Sequence, residues 1–224
     1  MSVGAMVRRV AAIVASRVTS SPVGSGSYPS FPSVPAGSLN VAQTVGAGNA
    51  QTVSNTLQEG NSSTTNGGYN SILVLPDTMS VTTSVTVTVT VGALSVVANN
   101  RGVGPGIFSA DGTKGIYVRI NSQSSTAALC YWSGGVETQP KTSTQVATAG
   151  DTITITGTYG SVTAGCWTWT VKKNGGTDIA AFTWTDSANL IDLPGVKPAV
   201  AFRHQYAAGQ APSRGVAALS FAAA

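Results

Sequence analysis

Charge is what this sequence has least of. Asp, Glu, Lys and Arg make up 9% of its 224 residues, against about 25% in an average soluble domain. A surface with so few ions must be built from hydroxyls and amides, which suits an extracellular or particle-bound β protein. Histidine occurs once, at His204, and cysteine twice, at Cys130 and Cys166. Without carboxylates nearby these three residues do not make a metal site. Glutamate is scarce too: Glu59 and Glu137 both lie in stretches of loop composition. Glycoside cleavage needs a pair of carboxylates, and no strand-like stretch carries two acids at alternate positions. A triad through His204 would need a nucleophile elbow, and "AFRHQY" stands beside none. These scarcities point away from an enzyme and from any cofactor.

Long apolar runs are also missing. Near the start, "VAAIVAS" between Arg9 and Arg17 is far too short to span a bilayer and at the short limit for a secretion signal. At helical spacing Val7, Val10, Val14 and Val18 share one side, with Ala11 beside them, so a short docking helix and a targeting signal both fit. The net charge of +4 owes most to this segment. Setting aside Arg8, Arg9 and Arg17 leaves nine basic residues against eight acidic ones, with no basic stripe for nucleic acid. Neither nucleic acid nor a membrane is an expected partner.

What the sequence has in plenty is Gly, Ser, Thr, Ala and Val. The run "SVTVTVTVG" at 84–92 places Val85, Val87, Val89 and Val91 on one strand face and Ser84, Thr86, Thr88 and Thr90 on the other. Such alternation predicts a strand in an antiparallel sheet covered on one side. Further strands are predicted at 71–75, 94–98, 115–120, 126–132, 151–157, 166–172, 178–184, 198–202 and 216–221. Many short strands with Gly, Asn and Pro turns predict an all-β, two-sheet antiparallel sandwich. In "VKKNGGTDIAAF", Asn174 and Gly175 supply a hairpin turn. Trp167, Trp169 and Val171 would face Ala180, Phe182 and Trp184 across it. "GVGPGIFSADGTKG" lacks the lysine-serine pair of a phosphate loop and reads as a Gly-rich turn.

Residues 19–38, rich in Pro, Gly and Ser, cannot form a core of their own. The chain therefore divides into an extended N-terminal arm over 1–40 and a sandwich over 41–224. Residues 41–57 fit strand or helix, and 58–70 have loop chemistry, so 41–70 can belong to either part. Cys130 and Cys166 fit free buried thiols or a disulfide.

The order "VTVTVTVG", "VVANNRG", "GIYVRI", "AALCYW", "GDTITITG", an Asn-Gly hairpin, "DLPGVKPAVAFR" and "GVAALSFAA" resembles the concanavalin-A-like jelly roll of laminin-G and pentraxin-type modules over 71–224. With its low charge and Pro/Ser/Gly arm the chain also resembles minor tail or surface proteins of actinobacterial tailed phages. The resemblance implies a non-enzymatic virion structural protein. It would assemble as a homo-oligomer or with other virion proteins through the arm, with Val7, Arg8, Arg9, Val10, Val14, Arg17, Tyr28 and Phe31 as contacts. The alternative is a lectin-like module for host cell-wall glycans, with Tyr131, Trp132 and Tyr206 as candidate sugar contacts. Relatives of this kind often hold calcium, for which Asp186, Asn189 and Asp192 in "TDSANLIDLPG" are the best candidates, although Asp and Asn are also ordinary turn residues.

Overall fold

The computed structural model describes residues 24–42, 48–60, 68–94, 102–122, 125–188, 195–205 and 214–224. The described chain forms β1 (Ser25–Tyr28), β2 (Leu39–Ala42), β3 (Gly48–Val53), β4 (Thr56–Gly60), β5 (Gly68–Val74), β6 (Ser84–Val91), β7 (Gly102–Ser109) and β8 (Lys114–Asn121). It continues with β9 (Ala127–Ser133), β10 (Val136–Ser143), β11 (Thr152–Tyr159), β12 (Trp167–Lys173), β13 (Trp184–Asp186), β14 (Val196–Gln205) and β15 (Val216–Ala223). One sheet has the order β13-β12-β11-β6-β15-β4-β3, with β1 also on β15; the other has the order β10-β9-β8-β7-β14-β5-β2. The strand pairs are antiparallel, and the chain crosses repeatedly between the sheets. The expected all-β jelly-roll sandwich is the architecture observed. Among the described residues no helix is long and apolar enough to cross a membrane.

The valine run behaves as its alternation dictates. Val85, Val87, Val89 and Val91 are buried between the sheets, and the intervening hydroxyl residues are half-exposed. Across the register, Thr86 meets Thr156 and Thr88 meets Thr154, with Oγ1 atoms 3.2 and 2.8 Å apart. The threonine row thus bonds neighbouring strands to one another on the outer face of the eight-stranded sheet. Opposite it, Trp167, Trp169 and Val171 point into the core from β12. Gly157, directly across from Trp169, leaves room for the indole: a Cβ there would lie 2.3 Å from Trp169 Cζ3.

In the seven-stranded sheet, β7, β8 and β9 are buried on both faces. Its inner face contributes Val103, Ile107, Ile116, Val118, Ile120, Leu129 and Val200 to the shared core. Its outer face carries a second apolar cluster with Ile72, Val74, Phe108, Tyr117, Cys130, Trp132, Ala199 and Ala201. "GVGPGIFS", expected as a turn, is the central strand β7, paired with both β14 and β8. Gly102, Gly104 and Gly106 occupy alternate positions on its outer face. Here glycine works by its small size: a Cβ at 104 would lie 2.1 Å from the Val118 carbonyl oxygen.

Several expected elements differ. The described part of the N-terminal arm is sheet: β1 pairs with β15, β2 pairs with β5, and Phe31 is buried in the core with its N–H donating to the Asn55 carbonyl. Residues 48–60 form a hairpin through Ser54 and Asn55, both with positive φ, so strand wins over helix there. The Asn174-Gly175 turn forms, with φ of 55° and 65°. The following stretch is not one strand, however: Asp178 makes an isolated bridge to Lys172, Ala180–Phe182 is a short 3₁₀ helix that buries Phe182, and Trp184–Asp186 then pairs with β12 as a strand. The expected strand at 94–98 falls mostly outside the described residues.

Candidate functional site

Alternation along β8 puts Ile116, Val118 and Ile120 inside and Tyr117, Arg119 and Asn121 on the outer face of the seven-stranded sheet. β9 adds Ala128, Cys130 and Trp132 to that face, and β14 adds Ala199, Ala201 and Arg203. On edge strand β10, Glu137 stands opposite Trp132 and Thr142 opposite Ala128, with a register shift between Thr138 and Lys141 that accommodates Pro140. Four strands thereby bring polar side chains together over an apolar floor.

A cavity of about 500 Å³ opens there. Arg119, Asn121, Ala127 and Ala128 form its buried base, Arg203 one wall, and Ser125, Thr126, Gln139, Thr142, Ser143 and Thr144 the more accessible rim. No aromatic ring is among these lining residues.

The base is held by one buried ion pair. Arg119 Nη2 donates to Glu137 Oε1 at 3.2 Å, with side chains only 3% and 5% exposed. Gln139 Nε2 donates to the same oxygen at 2.7 Å, and the Tyr117 hydroxyl donates to Oε2. Burial above all, with the Glu137 carboxylate beside it, pushes the Tyr117 phenol far above its usual range. Burial likewise drives the Cys130 thiol up to about 12, so this cysteine is an inert packing residue at neutral pH. Asn121 Nδ2 donates to Thr126 Oγ1, which ties β8 to the cavity rim. Burial, then the like charge of Arg119, lowers the affinity of the Arg203 guanidinium for its proton, though arginine stays charged at any physiological pH.

A fixed carboxylate that already accepts from Tyr117, Arg119 and Gln139 is poorly placed to move protons. Glu137 lies behind the lining, and no Asp or Glu lines the cavity among the described residues. Glu59, expected in a loop, lies on β4 in the other sheet, and Glu137, also expected in a loop, lies on β10. The arrangement offers donors and acceptors for a polar ligand rather than a pair of carboxylates for hydrolysis.

The residues singled out from sequence are not gathered at this cavity. Tyr131 turns inward and stacks on Trp184 of the opposite sheet, with centroids 5.5 Å apart and planes at 7°. Trp132 is buried in the outer-face cluster. Neither is a free sugar platform, because a strand aromatic in a two-sided sheet finds apolar cover on whichever face it takes. Tyr206 lies outside the described residues. Tyr28 stacks on Phe31 at 5.6 Å and its hydroxyl donates to Asp77, whereas Val7, Arg8, Arg9, Val10, Val14 and Arg17 lie outside the described residues. Phe31 is 1% exposed, so it packs within the chain instead of reaching a partner.

Asp186 ends β13 opposite Trp167 and is fully buried; Asn189 and Asp192 lie outside the described residues. No group of three His, Cys, Asp or Glu side chains suited to a metal occurs among the described residues. His204, expected just past a strand, is within β14, where its backbone is opposite Tyr69. Cys130 and Cys166 are both free thiols, the first on β9 and the second just before β12.

Sequence reasoning passed over Arg119 and Arg203. The available signal was chemical: an arginine inside "GIYVRIN" sits in an otherwise apolar strand, and a buried cation requires a partner.

No family model matches the chain, and no curated protein matches it in sequence. Among solved structures, the Emp47p carbohydrate recognition domain is similar at 11% identity and TM-score 0.49, with 88% of this chain and 94% of that one covered. Winged bean acidic lectin, complexed with methyl-α-D-galactose, is similar at 10% identity and TM-score 0.47, covering 88% and 96%. The carbohydrate-binding module CBM66 from Bacillus subtilis is similar at 9% identity and TM-score 0.42, covering 82% and 92%.

Proposed function

We propose that this chain is a non-catalytic saccharide-binding module whose site is the cavity on the outer face of the seven-stranded sheet. The observation that carries this reading is the cavity's composition: about 500 Å³ lined by guanidinium, amide and hydroxyl groups over a rigid β floor. Pockets of roughly 300–1,000 Å³ suit small organic ligands, and a sugar presents many hydroxyls that need donors and acceptors in fixed positions. Arg119 and Asn121 are preset by Glu137 and Thr126, so little ordering is needed on binding. Display on a phage particle, expected from the sequence, is compatible with this role and would make the module a host-attachment device.

Binding of the full chain to an array of bacterial cell-wall and other glycans tests the reading, with Thr142→Trp as the blocking variant. Thr142 is on the exposed rim, so the indole fills the mouth without disturbing the core. Glycan binding that Thr142→Trp abolishes is the expected result; binding that survives it would place the site elsewhere.

A further inference from the structure

The two arginines at the cavity are not equivalent. Arg119 has its counter-ion in Glu137, which Tyr117 and Gln139 hold in place. Arg203 has no ion pair or hydrogen bond to its guanidinium among the described residues. It is half-buried, and burial together with the like charge of Arg119 destabilises its charged form. Its five N–H donors therefore border the cavity with no acceptor set against them among the described residues.

The register sets a glycine beside this cation. Arg203 on β14 is opposite Gly102 on β7, and Gly102 is opposite Asn121 on β8. A Cβ at 102 would lie 2.8 Å from Asn121 Oδ1 and 3.3 Å from Arg119 Cβ. Glycine there leaves the space over β7 to the Asn121 and Arg119 side chains, and Arg203 stands about two strand spacings, roughly 10 Å, from Asn121. Charge is unbalanced across it, with two guanidinium groups against the single carboxylate of Glu137.

We infer that the cavity takes an anionic saccharide, whose carboxylate or sulfate oxygens are held by the Arg203 guanidinium while its hydroxyls meet the Thr126 and Thr142 rim. This rests on the saccharide reading above. A guanidinium presents paired N–H groups that match the two oxygens of an anionic group. A neutral sugar seated there would strip water from Arg203 without supplying charge. A bare anion would leave most of the cavity unfilled. The two sources of anionic oxygen, uronic or nonulosonic carboxylates and sulfate esters, share this chemistry and separate in the test.

The full chain is applied to an array that pairs uronate-bearing, nonulosonate-bearing and sulfated glycans with their neutral counterparts. Each bound glycan is then remeasured by calorimetry after carboxyl reduction or desulfation, with wild-type protein and with Arg203→Gln. Bound glycans are expected to be anionic, to lose about tenfold or more in affinity when the anionic group is removed, and to lose a similar factor with Arg203→Gln. The class of anionic glycan bound identifies carboxylate or sulfate. Neutral glycans that bind equally well, with no effect of Arg203→Gln, overturn the inference and leave the saccharide reading standing. If no glycan binds, the saccharide reading fails and the inference with it. Should Arg203→Gln not fold, the wild-type comparison of each glycan with its neutralised form decides alone.

Discussion

Arg119 and Glu137 meet at 3.2 Å on the outer face of the seven-stranded sheet, both side chains almost wholly buried. The pair joins β8 to β10 across β9, and its arginine forms part of the base of the cavity. Removing one charge would take from the other, still buried, the counter-ion 3.2 Å away.

Glu137→Gln is accordingly expected to destabilise the fold by about 3–5 kcal/mol, the usual cost of orphaning a buried ion. Arg119→Met combined with Glu137→Gln should recover much of that loss, because no uncompensated charge remains. Urea denaturation of Glu137→Gln, Arg119→Met and the double variant checks this. A double variant as unstable as the sum of the singles would mean that the pair is not coupled.

Gly157→Val tests the packing of the inner face. The added side chain would collide with the Trp169 ring, and overpacking of this kind typically costs about 1–3 kcal/mol. A lowered thermal midpoint with changed tryptophan fluorescence is expected; unchanged stability would place the indole elsewhere.

Phe31→Ala separates a packed segment from a free arm. Phe31 is 1% exposed in the main core, and loss of a buried phenylalanine costs about 3–5 kcal/mol. Removal of residues 1–40 would also take β1 from β15 and the first residues of β2 from β5. A truncated chain that melts at the wild-type temperature would show that this segment contributes no packing.

Acid stability should depend on Asp151. Burial alone would raise its pKa, yet hydrogen bonds from Asn174, Thr148 and Lys173 outweigh burial and hold it well below the usual carboxylate range. A depressed folded-state pKa contributes stability above the unfolded value, near 4, that is lost as pH falls toward the folded one. Wild-type protein should thus lose stability progressively below about pH 4. Asp151→Asn should be less stable at pH 7 and show a shallower acid decline. Parallel pH–stability curves for the two proteins would contradict this.

Strand legibility followed side-chain pattern. β6 was readable to its ends because four valines alternate with hydroxyl residues, one face buried and one wet. β7 was not, since Gly102, Gly104, Pro105 and Gly106 have turn chemistry and become strand only through neighbours on both sides. β10 lacks alternation and carries Pro140 at an irregular edge. Phe182 was expected in a strand, but burying its ring there takes a 3₁₀ turn. The candidate site was the least legible part. Its polar groups are scattered over β8, β10, β14 and the approach to β9, so no local motif announces them. The aromatics that drew notice, Tyr131 and Trp132, are spent on packing.

Saccharide binding at the outer-face cavity is tested most directly by mapping backbone and side-chain chemical shifts of the full chain as a glycan from the array is titrated in. The expected shifts gather at Arg119, Asn121, Thr126, Gln139, Thr142 and Arg203. Shifts gathered instead on the threonine face of the other sheet, at Thr86, Thr88, Thr154 and Thr156, would contradict the proposed site.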